Sequence, residues 1–171
     1  DRRLFEDGVR ILEAPTGLPV LGVVPYLRDL PLDQEDSLDL THSRSAQFKP
    51  DLTNVVVVLL PRMSNFTDFN ALSAEKDVAL RFAASRDDLS GADVVILPGS
   101  KNTLEDLEYL VTAGFPAALQ LHMERGGELV GICGGYQMLG QEIADPKGLE
   151  GGGTSRGLGF LDVVTELDAP K

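Results

Sequence analysis

Three short apolar runs, rich in β-branched residues, constrain the fold of this chain more than any other feature. They read NVVVVLLP from residue 54, ADVVILPG from residue 92 and GELVGI from residue 127. Apolar runs that are nearly continuous, without alternation, are typical of strands covered on both faces, as in a parallel sheet. We therefore predict three buried strands, and DVALRFAAS (77–85) alternates enough to add another.

Segments with helical spacing follow these strands. NTLEDLEYLVTAG has Leu104, Leu107, Leu110 and Val111 on one helical face, with Thr103 as the predicted cap. FPAALQLHMERGG predicts a second helix that begins at a proline and ends at a glycine.

The chain continues with YQMLGQEIAD, predicted as a helix, and with GLGFLDVVTEL (157–167), predicted as a last strand. The glycine cluster at 148–159 indicates a flexible loop. Strands that alternate with helices predict an α/β fold. The expected architecture is a three-layer, open, mostly parallel sheet with helices on both faces, as in flavodoxin-like proteins.

The beginning of the chain has a different character. LPVLGVVPYL (18–27) predicts a buried strand that has no partner strand before it. Residues 28–51 are polar, contain prolines and show no sustained period, which predicts a linker with room for one short helix. The first strand is therefore expected to be the last piece of a different domain.

Composition excludes several classes of function. The chain has 15 Lys+Arg against 27 Asp+Glu, and its net charge of −12 would repel a nucleic acid. Its apolar runs are far shorter than the roughly 20 residues that cross a bilayer, and DRRLFEDGVR has no signal-peptide core, so we expect a cytoplasmic protein with no membrane partner. One cysteine and two histidines are too few for a disulfide within the chain or a usual zinc site, and we predict no metal.

Cys133 lies in GELVGICGGYQML, between a predicted strand and a predicted helix. The arrangement is that of a nucleophile elbow, in which Gly131 and Gly135 let the flanking backbone approach closely. Such a turn would strain Cys133, expose its sulfur at the carboxyl edge of the sheet and place it near a helix N-terminus that favours the thiolate. The Gly134 N–H would then point to where an oxyanion forms. The alternative is that Cys133 is an inert, buried spacer.

A second strand-to-helix loop, in ILPGSKNTLEDL, offers a place for the other half of an oxyanion hole. If its strand lies beside the cysteine strand, Gly99 and Ser100 would supply the remaining N–H groups. The alternative is an ordinary turn capped by Asn102 or Thr103, with Lys101 solvated.

Three separated blocks, LPRMSNFTDFNAL (60–72), VVILPGSKNT (94–103) and GICGGYQMLG (131–140), together resemble the glutamine amidotransferase domain of the cobyric acid synthase family, of the triad (class I) type. They are more similar to that family than to the related cobyrinic acid a,c-diamide synthases. LGVVPYL and LPLDQEDSLDL are also similar to the end of the family's ATP-dependent synthetase domain and its connection to the glutaminase.

The resemblance covers essentially the whole chain and implies its domain order. Residues 1–30 would be the C-terminal end of the synthetase domain, 31–53 a linker, and 54–171 the amidotransferase domain without its C-terminal part. The synthetase domain of the same full-length chain would bind ATP, Mg²⁺ and the corrinoid substrate, so these residues themselves are expected to bind glutamine and no cofactor.

The resemblance also implies a reaction. The Cys133 thiolate would attack the side-chain amide of glutamine, and N–H groups near Gly99 and Gly134 would hold the oxyanion. The ammonia released would serve to amidate corrin side-chain carboxylates b, d, e and g in cobalamin biosynthesis. Tyr136 and Gln137 would border the glutamine pocket, or would only begin the helix.

Cysteine catalysis of this kind needs a general base, normally histidine. The family supplies it downstream of the last strand that the sequence predicts, and no histidine follows Cys133 here. His42 is predicted in the linker and His122 on the helix before the cysteine strand, so neither is expected to replace it. We therefore expect a fragment of a longer ligase, with little or no glutamine hydrolysis by itself.

Other functions remain open at this point. The chain could be a non-catalytic amidotransferase-like module that binds a partner or ligand. It could be a glutaminase that feeds a different ligase. A third alternative is an unrelated cysteine hydrolase on a similar α/β sheet, which would accept an ester rather than glutamine.

Overall fold

The computed structural model describes residues 6–23 and 48–168. The chain divides into two compact units, Asp1–Asp33 and Gln34–Lys171. Within the described residues, every helix is too short or too polar to cross a membrane.

The described part of the first unit contains one helix, α1 (Glu6–Thr16), which the sequence analysis did not predict. It ends at Thr16 and is followed by Gly17, whose φ of 65° lies in the left-handed region and whose N–H donates to Glu13 O at 2.8 Å. A glycine in this conformation is a common helix stop, because it has no Cβ to clash.

The predicted buried strand at 18–27 is wrong for the residues that the structure describes. Residues 18–23 form no strand, and Leu21 is 97% exposed. The Val20 N–H donates to the Glu13 carboxylate at 2.8 Å instead of to a neighbouring strand. An apolar run forms a buried strand only where a partner strand pairs with it, and the described residues of this unit supply none. Residues 24–47, with most of the predicted linker, lie outside the described residues.

The second unit is built on a four-stranded parallel sheet in the spatial order β2-β1-β3-β4. Its strands are β1 (Thr53–Val58), β2 (Val78–Ala83), β3 (Val94–Leu97) and β4 (Glu128–Gly131). All four lie in segments that the sequence predicts as strands, so the parallel α/β fold is confirmed.

The strand order determines where helices and ligands can lie. The chain moves from β1 outward to β2, then returns past β1 to β3 and β4. Right-handed connections therefore place helices on opposite faces of the sheet, as predicted. This is the beginning of the flavodoxin-like order, in which ligands bind at the carboxyl ends of the strands.

In the described residues of the second unit, six helices or helical turns connect the strands or follow the sheet. A 3₁₀ turn and α2 follow β1, a second 3₁₀ turn follows β2, α3 and α4 follow β3, and α5 follows β4. Their bounds are Phe66–Phe69 and α2 (Asn70–Ala74), Arg86–Leu89, α3 (Thr103–Thr112), α4 (Phe115–Glu124), and α5 (Gly134–Met138).

The structure corrects two details of the predicted helix α3. Its cap is Asn102, whose side chain accepts the Glu105 N–H at 3.0 Å, so Thr103 is the first helical residue rather than the cap. Its buried face runs through the three leucines, whereas Val111 is 55% exposed at the margin of that face.

A second, smaller sheet follows α5. It contains β5 (Glu142–Asp145), β6 (Gly153–Arg156) and β7 (Val164–Glu166), in the order β6-β5-β7. The pair β5–β6 is antiparallel and the pair β5–β7 is parallel. The glycine cluster at 148–159 therefore contains a strand and is not simply a flexible loop.

The predicted helix over YQMLGQEIAD stops at Met138, and the predicted strand at 157–167 is shortened to β7. The cause is one set of hydrogen bonds. The N–H groups of residues 157–161 donate to carbonyls of residues 138–141 at 2.8 to 2.9 Å, so this segment caps the end of α5 instead of extending a strand. Gly157 allows the approach, because a Cβ there would lie 2.2 Å from Gly140 O.

The core of the second unit lies between the parallel sheet and its helices. Burial of each large apolar side chain contributes about 1.5 to 3 kcal/mol to folding. The fully buried apolar side chains include Val56, Val57, Val58, Val95, Leu97, Leu110, Phe115, Leu119, Met138 and Ile143.

Candidate active site

Cys133 occupies a sharp turn between β4 and α5. Its φ of 50° and ψ of −113° are outside the regions that side-chain-bearing residues normally adopt, and Asn65 is the other described non-glycine residue with positive φ. The Gly135 N–H donates to Ile132 O at 2.8 Å across the turn. The thiol-bearing residue is exposed, so it is not a buried spacer. Strained, exposed residues of this kind are concentrated at functional sites.

The two flanking glycines are required by close backbone contacts, as the sequence predicts. A Cβ on Gly135 would lie 2.1 Å from Leu97 O, and a Cβ on Gly131 would lie 2.6 Å from Tyr136 Cα. Both contacts are with main-chain atoms of a packed element and cannot yield easily. The turn is therefore accessible only to a glycine-flanked sequence.

The loop after β3 lies against the cysteine turn. β3 and β4 are paired neighbours, as the prediction of a joint site required. A Cβ on Gly99 would lie 3.7 Å from Cys133 Cβ, and a Cβ on Gly134 would lie 3.1 Å from the Ser100 nitrogen. The structure thus brings Gly99, Ser100, Gly134 and Cys133 together at the carboxyl edge of the sheet.

The loop after β1 forms hydrogen bonds with the loop after β3. Met63 and Ser100 form an isolated bridge, in which the Ser64 N–H donates to Gly99 O at 2.9 Å and the Lys101 N–H to Arg62 O at 2.8 Å. These bonds leave the Ser100 N–H without a hydrogen bond to any described residue. They also fix the orientation of the loop that carries it.

Ser64 is a site residue that sequence reasoning missed. It is half-buried, and a Cβ on Gly99 would lie 2.6 Å from its Oγ. The sequence offers no local signal for it, because Ser64 and Gly99 lie 35 residues apart in the chain, in the loops after β1 and β3.

Asp106 forms hydrogen bonds with both of these loops. Its Oδ2 accepts the Ser100 hydroxyl at 2.6 Å, and its Oδ1 accepts the Arg62 N–H at 3.2 Å. Burial raises the pKa of Asp106, although these two hydrogen bonds and the Arg62 charge act to lower it. The Ser100 side chain is therefore engaged in structure, whereas its backbone N–H makes no hydrogen bond to a described residue.

The start of α3 is already occupied by side chains of this chain. Asn102 caps the Glu105 N–H, and the Glu150 carboxylate accepts the Leu104 N–H at 3.0 Å. Two of the N–H groups at this helix start are therefore not available to a substrate oxygen. Lys101 is exposed, as expected for a solvated side chain.

Glu150 belongs to a loop that is wound around Asp145 at the end of β5. The carboxylate of Asp145 accepts the N–H groups of Leu149, Glu150 and Gly152 at 2.8, 2.7 and 2.9 Å. Burial acts to raise the pKa of Asp145, but these donors and the Gly148 N–H outweigh it and hold the pKa below its ordinary value. Asp145 and Glu150 were not predicted from the sequence.

Tyr136 and Gln137 are the third and fourth residues of α5. Tyr136 is exposed beside the cysteine turn, and Gln137 is half-buried, with its Oε1 3.4 Å from Thr103 Oγ1. Their role at a glutamine pocket stays a prediction, as does that of Gly99, Ser100 and Gly134 as an oxyanion hole.

His122 does not reach the cysteine. It is buried on α4, and its Nε2 lies 2.9 Å from Glu128 O, at the amino end of β4. Cys133 lies five residues after Glu128, past the carboxyl end of the same strand, so at about 3.3 Å per residue these two residues are roughly 15 Å apart. His42 lies outside the described residues. The described residues contain no group of three or more His, Cys, Asp or Glu that could hold a metal ion.

Comparison with known proteins identifies the family. The model of the CobB/CobQ-like glutamine amidotransferase domain matches residues 54–171. The chain is 46% identical over 172 residues to a cobyric acid synthase of Vibrio campbellii, covering 100% of this chain and 36% of that protein. It is 49% identical over 172 residues to a cobyric acid synthase of Roseiflexus castenholzii, with 100% and 34% covered.

The chain thus spans about a third of the length of the curated relatives that it matches. A crystal structure of a glutamine amidotransferase is also similar, with a TM-score of 0.49 and 22% identity over 65% of this chain and 55% of that one. By the family match and the identity to its relatives, this chain belongs to the CobB/CobQ-like glutamine amidotransferase domain family.

Proposed function

We propose that the chain carries the glutaminase part of a cobyric acid synthase. The Cys133 thiolate attacks the side-chain carbonyl carbon of glutamine, and the carbonyl electrons move to oxygen. The C–N bond then breaks, the nitrogen takes up a proton and leaves as ammonia, and an enzyme thioester remains. Water attacks the thioester and releases glutamate and the free thiol.

The observation that carries this proposal is the conformation of Cys133. A strained, exposed cysteine at the carboxyl edge of a parallel sheet matches the geometry of a nucleophile elbow. The N–H groups of Ser100 and Gly134 lie beside it and would stabilise the oxyanion, because neither donates to a described residue. The description of the matching family, a glutamine amidotransferase domain, supports glutamine as the substrate.

The fate of the ammonia is proposed from the relatives, which are named cobyric acid synthase and are about three times longer than this chain. In the remaining two-thirds, ATP and Mg²⁺ would activate corrin side-chain carboxylates b, d, e and g for amidation in the cytoplasm. The described residues do not provide a set of metal ligands, so no step through Mg²⁺ is assigned to them.

The described residues also do not bring a histidine to Cys133, because His122 lies at the other end of β4. Without a base, hydrolysis of the thioester should be slow even where the glutamine pocket is formed. We therefore propose that Cys133 in this chain accepts a glutamine-like electrophile but turns glutamine over poorly.

Intact-mass spectrometry after incubation with 6-diazo-5-oxo-norleucine tests this proposal. The thiol adds to the diazo carbon, dinitrogen leaves and the thiol proton passes to that carbon, so one stable thioether forms. We expect a single adduct that is absent in Cys133→Ala and is slowed by added glutamine. Labelling by iodoacetamide without labelling by the glutamine analogue would contradict the proposal and would favour a non-catalytic binding module.

A further inference from the structure

Glu150 lies where the start of α3 meets the loop after β5. Its Oε2 accepts the Leu104 N–H at 3.0 Å, and its Oε1 lies 3.4 Å from Thr103 Oγ1. Thr103 and Leu104 are the first two residues of α3, whose leading N–H groups have no partner within the helix. A carboxylate here satisfies such a group and is also attracted by the helix dipole. Glu150 therefore caps α3 from 46 residues further along the chain.

The loop that presents Glu150 is held in one conformation. Asp145, which is buried at the end of β5, accepts N–H groups from three residues of the loop, including Glu150 itself. Gly148, Gly151 and Gly152 have φ of 70°, 104° and 82°, which lets the backbone close around the carboxylate. Glu150 thus donates to Asp145 through its backbone and accepts from α3 through its side chain.

Thr103 extends this connection to the cysteine turn. Its Oγ1 lies 3.4 Å from Gln137 Oε1 on α5, and a Cβ on Gly134 would lie 3.2 Å from it. The Thr103 hydroxyl is the donor to both oxygens, Gln137 Oε1 and Glu150 Oε1, and each lies 3.4 Å from it. One hydroxyl of α3 therefore contacts both α5 and the Glu150 loop.

We propose that Glu150 is a positioning residue for the acylation of Cys133, which it serves by holding the start of α3 against α5. The Ser100 N–H, which precedes α3 and lies beside Gly134, is the group whose position it fixes. This inference rests on the proposed glutaminase function. Because Glu150 acts through the oxyanion N–H groups, its loss should slow reaction with a glutamine-like carbonyl and should spare alkylation that needs only an accessible sulfur.

The test compares two reagents on the 171-residue chain: 6-diazo-5-oxo-norleucine, whose ketone oxygen takes the place of the amide oxygen, and iodoacetamide. The variants are Glu150→Ala, Glu150→Gln, which keeps one acceptor oxygen, and Glu142→Ala, which removes an exposed carboxylate from β5. Rates of Cys133 labelling are measured by mass spectrometry, and circular dichroism checks that each variant is folded.

We expect the rate with the glutamine analogue to fall about tenfold in Glu150→Ala, the loss of one charge-assisted hydrogen bond, with partial rescue in Glu150→Gln. The rate with iodoacetamide should stay within about twofold, and Glu142→Ala should behave as the wild type. Equal rates with the analogue in Glu150→Ala and Glu142→Ala would overturn the inference. A parallel loss with both reagents would also overturn it, since that indicates a merely structural role.

If the wild-type chain is labelled by iodoacetamide but not by the glutamine analogue, that result contradicts the proposed function rather than the role of Glu150. In that case, amide hydrogen exchange tests whether Glu150 holds the start of α3. The Leu104 N–H should exchange about tenfold faster in Glu150→Ala than in Glu142→Ala. Equal exchange in the two variants would overturn the inference in that case.

Discussion

The Ser100 hydroxyl donates a 2.6 Å hydrogen bond to Asp106, and this bond ties the loop after β3 to the first turn of α3. The carboxylate of Asp106 is completely buried, and it also holds the loop after β1 through the Arg62 N–H. Two loops that border Cys133 are therefore anchored on one acid. The protonation of Asp106 should therefore affect how the stability of the chain depends on pH.

Asp106→Asn should change how stability depends on pH. Burial raises the pKa of Asp106 above 3.8, so the folded chain binds this proton more tightly than the unfolded chain does. Its contribution is fully present below pH 3.8 and is lost as pH rises through the raised pKa. Asparagine does not titrate, so Asp106→Asn should not lose this stability. The free energy of unfolding of the variant, relative to that of the wild type, should therefore increase as pH rises from 3.8 through the raised pKa.

Urea unfolding at a series of pH values measures the effect. Asp162→Asn, which changes an exposed carboxylate, is the control and should follow the wild type. A stability difference between Asp106→Asn and wild type that does not vary with pH would contradict the raised pKa.

The parallel sheet and the cysteine turn could be predicted from the sequence because their signals are local. NVVVVLLP and ADVVILPG are apolar on both faces, and GICGG places glycines where the backbones of β3 and α5 leave no room for a Cβ. The approach of Gly99 to Cys133 could be stated as a condition, since it follows once β3 and β4 are neighbours. These features depend on residues close together in the chain or on sheet topology.

The rest of the site could not be predicted because it depends on contacts between distant residues. Glu150 caps a helix 46 residues before it, and nothing in LEGGG indicates that partner. The second sheet was missed for a similar reason, because residues 157–161 donate their N–H groups to carbonyls at the end of α5 and do not extend a strand. The glycines at 148–159 indicated flexibility, but several of them serve to close a loop around Asp145.

Asp145→Asn should destabilise the chain at neutral pH and progressively less in acid. The donors around Asp145 hold its pKa below 3.8, so its contribution is fully present above pH 3.8 and is lost as pH falls through the lowered pKa. An asparagine would also turn an NH₂ toward backbone N–H groups. We expect a fall in Tm of about 4 to 8 °C at pH 7.

Thermal unfolding followed by circular dichroism at several pH values tests this expectation. The Tm difference between Asp145→Asn and wild type should narrow below pH 3.8. Asp168→Asn, at an exposed aspartate that pairs with Lys147, should shift Tm little at any pH. A difference that persists unchanged in acid would mean that the loop does not depend on the charge.

Gly135→Ala should prevent the cysteine turn from packing. The new Cβ would lie 2.1 Å from Leu97 O and 2.7 Å from Pro98 O, and both are backbone atoms next to the site. We expect a loss of about 3 kcal/mol or more in the free energy of unfolding. Gly126→Ala is the matched control, because its φ of 86° strains an alanine but no atom lies within 4 Å, so it should cost about 1 to 2 kcal/mol. Equal costs would show that the turn can move away from Leu97.

His122 should be irrelevant to the reactivity of Cys133. It is 8% exposed, contacts Glu128 O at the opposite end of β4 and packs against Gly127, where a Cβ would lie 2.1 Å from its ring. His122→Gln keeps a polar group near Glu128 O and should lower stability by about 1 to 2 kcal/mol. Labelling of Cys133 by the glutamine analogue should stay within about twofold of wild type, because the residue is roughly 15 Å away along the strand. If a folded His122→Gln chain is no longer labelled, this prediction is wrong, and His122 itself would be the base that acts on the thiol.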